Sequence, residues 1–167
     1  MLNQRILPAS FQLYLDPTLT TYQGKALSGH YLYDDEGVKG QRVNCVKDGY
    51  LRQYLMSRTP VKEFAGSNGH GRASNDRDPN PRQSNFIVET TEPYSETQLR
   101  NLLIEELKRQ GKEYGYYFRT VKGGFTTRGK ANAINAFNVS PIEVYRVFAD
   151  GRDDQLVRGV SLIGTPL

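Results

Sequence analysis

The sequence predicts an α+β fold, mainly antiparallel β-sheet of sandwich- or barrel-like form, with one main amphipathic helix near residues 96–110. Three observations carry this. Short runs rich in aromatic and β-branched residues alternate apolar with polar side chains along much of the chain. An Asp-Gly pair stands between two such runs, at Asp48-Gly49. One stretch only combines helical leucine spacing with a start signal and a stop signal. Many short strands with tight turns and a single helix argue for antiparallel sheet rather than for βαβ units.

Taken in order, Phe11 to Leu15 alternates and is stopped by Asp16-Pro17, which predicts a strand with a turn behind it. Gln41–Val46 and Tyr50–Met56 are the two arms of the hairpin around Asp48-Gly49, residues that tolerate the positive φ of a type I′ turn. Residues 57–83 lack periodicity and carry Pro60, Gly66, Gly69, Gly71, Pro79 and Pro81; so long a connection inside a compact domain is functional or disordered. Strand chemistry returns at Phe86–Val88. Ser95 caps the helix Glu96–Gln110, Gln98 stands where a capping-box partner belongs, and Gly111 supplies the left-handed stop. Leu99, Leu102, Leu103 and Leu107 lie on one face, which a helix packed on a sheet explains. Tyr114–Val121 is the next strand, Lys122–Lys130 a glycine-rich loop, and Ile142–Phe148 with Leu156–Ile163 a final strand pair joined by residues 149–154.

The 167 residues suit one domain, and 24% charged residues argue against wholesale disorder. No apolar run reaches the roughly 18 residues of a membrane span, and no secretory signal opens the chain. A soluble, cytoplasmic protein without membrane contact is expected. The 22 basic residues exceed the 18 acidic ones by four, but they form no block. Arg72, Arg77 and Arg82 come nearest, and Asp76 and Asp78 interrupt them, which argues against nucleic acid as a partner.

The chemistry available is sparse. A catalytic zinc takes about three ligands from His, Cys, Asp and Glu, and the softer donors here are His30, His70 and Cys45. No two histidines stand one helical turn apart, and Cys45 in its alternating strand reads as a small buried hydrophobe. Ser84 lacks the Gly-x-Ser-x-Gly context of a nucleophile elbow. Asp34-Asp35-Glu36, followed by Gly37, reads as a solvated turn rather than a carboxylate pair. Ser67-Asn-Gly-His-Gly-Arg72 and Lys122-Gly-Gly-Phe-Thr-Thr-Arg-Gly-Lys130 fit neither phosphate-loop spacing. Such loops can present backbone groups to an extended peptide; plain turns are the equal alternative.

The runs Ser67–Arg72, Pro81-Arg-Gln-Ser-Asn85-Phe-Ile-Val88 and Gly123-Gly-Phe-Thr126 together resemble the C-terminal domain of the TldD/PmbA family of metalloproteases, also labelled modulators of DNA gyrase. Asp16-Pro-Thr-Leu19, Tyr33-Asp-Asp-Glu-Gly-Val38, Leu55-Met-Ser-Arg-Thr-Pro60, Asn135-Ala-Phe-Asn138, Val144-Tyr-Arg146, Asp150-Gly-Arg152, Leu156-Val-Arg-Gly159 and Gly164-Thr-Pro-Leu167 extend the likeness over residues 1–167, in order. The resemblance implies one domain of this C-terminal type, a fragment lacking the upstream His-Glu-x-x-x-His helix and the C-terminal cysteine that complete the family's zinc site. It implies zinc in the full-length protein, no cofactor held by this chain, and no catalytic or metal-binding residue here. It also implies an unfolded-peptide substrate and a homo- or hetero-oligomer with another family subunit. The residues it assigns to a substrate groove are Asn68, His70, Arg72, Arg82, Ser84 and Asn85, with Gly124 and Thr126 on the second loop. For Arg82 and Asn85 a structural bracket holding the long loop is the equal alternative. Two other roles stay open: a stand-alone, non-catalytic peptide-binding or assembly protein, and a DNA- or gyrase-associated one.

Overall fold

A computed structural model describes residues 2–64, 66–127 and 136–165. The chain forms two compact units, Met1–Pro93 and Tyr94–Leu167. Both are antiparallel, and the one helix among the described residues belongs to the second, so the fold is α+β. No helix among the described residues is long and apolar enough to cross a membrane.

In the first unit the alternating run Phe11–Leu15 forms β1, with the predicted bounds. After it come the short ribbon β2 (Thr21–Tyr22) and β3 (Lys25–Ala26), then β4 (Val43–Lys47) and β5 (Tyr50–Leu51). A second ribbon pairs β6 (Gly71–Arg72) with β7 (Asn80–Pro81), and β8 (Phe86–Thr90) closes the unit. The main sheet runs β5-β4-β1-β8. Leu15 lies opposite Val43, and Tyr14 opposite Ile87; all four are buried, so the sheet has apolar side chains covered on both faces. The β4–β5 turn has Asp48 at φ 52° and Gly49 at φ 78°, the conformation the Asp-Gly pair predicts.

The hairpin's second arm is shorter than the expected Tyr50–Met56. Beyond Leu51 the amides of Arg52 and Gln53 both turn to the Cys45 carbonyl, and the chain leaves the sheet. Residues 54–56 bond instead to the loop that follows, which alternation alone could not reveal.

In the second unit α1 spans Glu96–Gln110, with Ser95 and Gln98 forming the reciprocal capping box and Gly111 at φ 63° ending it. Leu107 is buried, Leu103 half-buried, while Leu99 and Leu102 stay exposed. The helix meets its sheet at Gly115, where an added Cβ would stand 3.1 Å from Leu103 and Leu107 methyls. The sheet is a long hairpin, β9 (Tyr114–Thr127) with β10 (Ala136–Phe148). The far edge of β10 carries β11 (Gln155–Val157) and then β12 (Leu162–Gly164). Among the described residues neither sheet closes into a barrel.

Two expectations change here. Residues 122–127 are strand, not loop: β9 continues through both glycines, because Gly123, Gly124, Phe125 and Thr126 each find a partner on β10. Arg128–Lys130, and Asn135 of the Asn135–Asn138 run, lie outside the described residues, as do residues 166–167. The final strand pair holds in part: Ile142–Phe148, as the end of β10, does pair with Leu156–Val157 of β11, but 158–161 is not strand and Leu162–Ile163 belong to β12, which pairs farther back on β10.

Candidate functional site

Six of the eight candidate residues fall in the first unit, on the segment from Tyr54 to Asn85. Its glycines let backbone pass against backbone. Gly69 has φ 74°, and a Cβ there would overlap the Lys39 carbonyl; a Cβ at Gly71 would overlap the Glu36 carboxylate. The segment therefore lies tightly against residues 34–40. Asp34 is buried, and its carboxylate accepts from the amides of Glu36 and Val38 through Oδ1 and of Gly71 through Oδ2. Asp35 accepts from the Ala73 amide at 2.7 Å and from Arg72 Nε at 3.0 Å. Those bonds, the amide's first, hold its carboxyl below the usual range against the opposing effect of burial. Glu36 accepts from the Arg58 amide at 2.6 Å. The expected solvated turn is half right: Gly37 turns at φ 74° and Asp35 stays exposed, but Asp34 is buried against the Gly71 amide, and Asp35 and Glu36 also accept from Ala73, Arg72 and Arg58.

Asn68 works as a bracket. Its Oδ1 accepts from the Met56 amide at 2.8 Å and its Nδ2 donates to the Tyr54 carbonyl at 2.9 Å, so one side chain replaces a neighbouring strand for residues 54–56. Asn85, also buried, donates to the carbonyls of Asp16 and Leu19 and accepts from the Gly29 amide at 2.8 Å. The bracket alternative thus describes its side-chain bonds. Arg72 lies with its guanidinium carbon 4.4 Å from the Tyr31 ring centre, and the Tyr31 hydroxyl donates to the Gly69 carbonyl.

At the centre is His70, whose side chain is fully buried. Its Nδ1 stands 3.1 Å from the Asn68 carbonyl and its Nε2 3.1 Å from Ser84 Oγ. Burial pulls its pKa below the ordinary value, partly countered by the Asn68 carbonyl and by the charges of Asp34 and Asp16. Arg82 donates its amide to the His70 carbonyl, while its side chain is exposed and, with Leu55, Pro81 and Gln83, lines an open hollow of about 560 Å³. Asn68, Arg82 and Ser84 are thus joined through His70, whereas the side chains of Arg72 and Asn85 bond elsewhere, to Asp35 and to Asp16, Leu19 and Gly29. Gly124 and Thr126 belong to the second unit, opposite Val139 and Phe137 on β10.

These side chains do not suit a metal. Both His70 nitrogens are engaged within the chain, and burial pushes the Cys45 thiol up to about 11, far from the thiolate a metal takes. His30 is exposed, and among the described residues no three His, Cys, Asp or Glu side chains gather into a cation shell. Tyr31, Asp34, Asp35 and Glu36 are the site members that sequence reasoning missed. Their signal was the run of acids itself, facing a glycine-rich stretch whose amides need acceptors.

Comparisons with known proteins bear on this arrangement. The family model described as the PmbA/TldA metallopeptidase C-terminal domain matches residues 1–167. A metalloprotease of Archaeoglobus fulgidus is 30% identical over 166 residues, 99% of this chain and 34% of its own length. Metalloprotease MJ0996 of Methanocaldococcus jannaschii is 31% identical over 137 residues, 81% of this chain and 27% of its own. This chain therefore spans about a third of the length of these relatives. A crystal structure of TldE from Thermococcus kodakarensis shares the fold, with a TM-score of 0.58 at 15% identity over 98% of this chain and 33% of that one. The match of the family model over the whole sequence makes this chain a member of the PmbA/TldA metallopeptidase C-terminal domain family.

Proposed function

We propose that this chain is the substrate-groove and assembly module of a TldD/PmbA-like zinc metallopeptidase, not catalytic on its own, in a protein that degrades or matures unfolded peptides in the cytoplasm. The observation that supports it best is the contrast between family and chemistry. The chain matches a metallopeptidase domain throughout, yet its histidines and its cysteine are unsuited to zinc. The metal and its ligands then belong to other parts of the full-length protein. Arg82 and Ser84 are the groove residues that would meet substrate. Asn68, Arg72, Asn85 and His70 hold them in place; Gly124 and Thr126, on the edge strand β9 of the second unit, are a separate candidate for contact with substrate backbone. Partner subunits of the same family complete the assembly, a reading that the fold shared with TldE supports.

Two measurements on the purified chain test this. Plasma emission analysis after zinc loading and desalting is expected to find no stoichiometric zinc, and incubation with an unstructured peptide to give no cleavage. Fluorescence anisotropy with the same labelled peptide is expected to show weak binding that Arg82→Ala lowers several-fold. One zinc per chain with turnover would defeat the non-catalytic part; binding indifferent to Arg82→Ala would defeat the groove assignment.

A further inference from the structure

His70 and Ser84 carry more chemistry than loop closure requires. The Asn68 carbonyl oxygen can only accept, so Nδ1, 3.1 Å away, carries the ring's proton. A neutral ring then offers a lone pair at Nε2, and Ser84 Oγ, 3.1 Å from it, must donate. The order is carbonyl, imidazole, hydroxyl: a nucleophile against a base that a third group orients, the constellation that activates a serine. The ring is fully buried, so water does not compete for its lone pair, and the tautomer is locked. Asp34 and Asp16 lie close enough for their charges to favour the imidazolium that would form. The Tyr31 ring meets His70 edge-on, with centres 6.4 Å apart. Ser84 is half-buried rather than enclosed, and its chain neighbour Gln83 lines the open hollow beside Leu55 and Arg82.

We propose that Ser84 is a nucleophile for acyl transfer from activated esters, with His70 as its general base and the Asn68 carbonyl as the group that holds the ring. Ser84 Oγ bonds to the ester carbonyl carbon as its proton passes to His70 Nε2. The C–O bond to the leaving alcohol then breaks, and the alkoxide departs with that proton. The products are O-acyl Ser84 and a free alcohol, a single stoichiometric transfer without turnover or peptide cleavage, which leaves the non-catalytic reading above intact; no metal or redox partner is involved. An uncharged carbonyl orients the base less strongly than a carboxylate would, so the acceleration belongs at the lower end of the roughly 100- to 10,000-fold range of general-base catalysis.

The test is brief exposure of the intact chain to p-nitrophenyl acetate, followed by peptide mapping of acetylated serines. Exposed Ser28, Ser74 and Ser161 in the same sample serve as internal references. Ser84 is expected to acetylate about 100-fold faster than any of them. Its rate should fall as pH is lowered and His70 takes a proton, and the advantage should vanish in urea. Acetylation of Ser84 no faster than the reference serines, or at the same relative rate in urea, overturns the proposal. So does a rate independent of pH, which needs no variant to read. His70→Gln, where it folds by circular dichroism, should bring Ser84 down to the reference rate; an unchanged rate there also overturns it.

Discussion

Asn85 joins three separated stretches through one amide, to Asp16 and Leu19 on one side and Gly29 on the other. The site is closed by crowding as well, since a Cβ on Gly29 would come within 2.6 Å of the Asn85 side-chain oxygen. Removing the amide leaves two carbonyls and an amide without partners in a buried place, at about 1–3 kcal/mol for each unsatisfied group. Asn85→Ala is expected to lower stability by about 3 kcal/mol, read from urea midpoints. Asn85→Asp should destabilise too, because a carboxylate has no proton to give the two carbonyls; a midpoint unchanged in either variant refutes the bracket. His70 gives a pH dependence of fixed sign. Its folded pKa is depressed by burial, so below about pH 6.5 the unfolded chain binds a proton that the folded chain resists. Its contribution is complete above that pH and is lost as pH falls toward the folded value. Urea midpoints should be flat on the alkaline side and decline on crossing about pH 6.5, with His70→Gln flattening the decline. The sequence named His70, Ser84 and Asn85 but not their partners. Which carbonyl an asparagine meets is decided by residues up to 69 positions away, and that separation leaves no local trace.

Among the elements, α1 was legible because its determinants are local: cap, capping box, leucine spacing and stop glycine all lie within one 17-residue span from Ser95 to Gly111. The glycine tract of β9 was not, because its composition is that of a turn while its conformation is set by pairing with β10, which lies later in the chain. Gly124 shows why glycine stands there: a Cβ would overlap the Asn138 carbonyl on the neighbouring strand and crowd Val139. Backbone in a paired strand cannot step aside as a flexible side chain can. Gly124→Ala is therefore expected to cost about 1–3 kcal/mol, the range of overpacking, despite alanine's small size. Gly151→Ala is a control of another kind, since nothing stands within 4 Å of its Cβ position and only its φ of 83° opposes the change. Thermal melts that rank Gly124→Ala as the milder of the two would contradict the close strand contact.

At the scale of the whole molecule, the second unit leaves large apolar side chains in water. Phe125 and Ile163 both lie opposite Asn138, on neighbouring strands, so the three share one face of the sheet; Phe125 is 66% exposed and Ile163 64%. Ile142 and Leu156 are also well exposed. Exposed apolar side chains of this size, here on either side of Asn138, mark a contact site or an aggregation hazard. Each side chain of this size buried completely is worth about 1.5–3 kcal/mol, so even partial cover by a second molecule favours association. The chain alone is expected to self-associate: sedimentation equilibrium should show average mass rising with concentration. Phe125→Ser with Ile163→Ser should suppress the rise, while circular dichroism keeps its wild-type form because neither side chain is part of the buried core. A mass that stays monomeric at high concentration would show that this face tolerates water, and a rise indifferent to the double substitution would place the contact elsewhere.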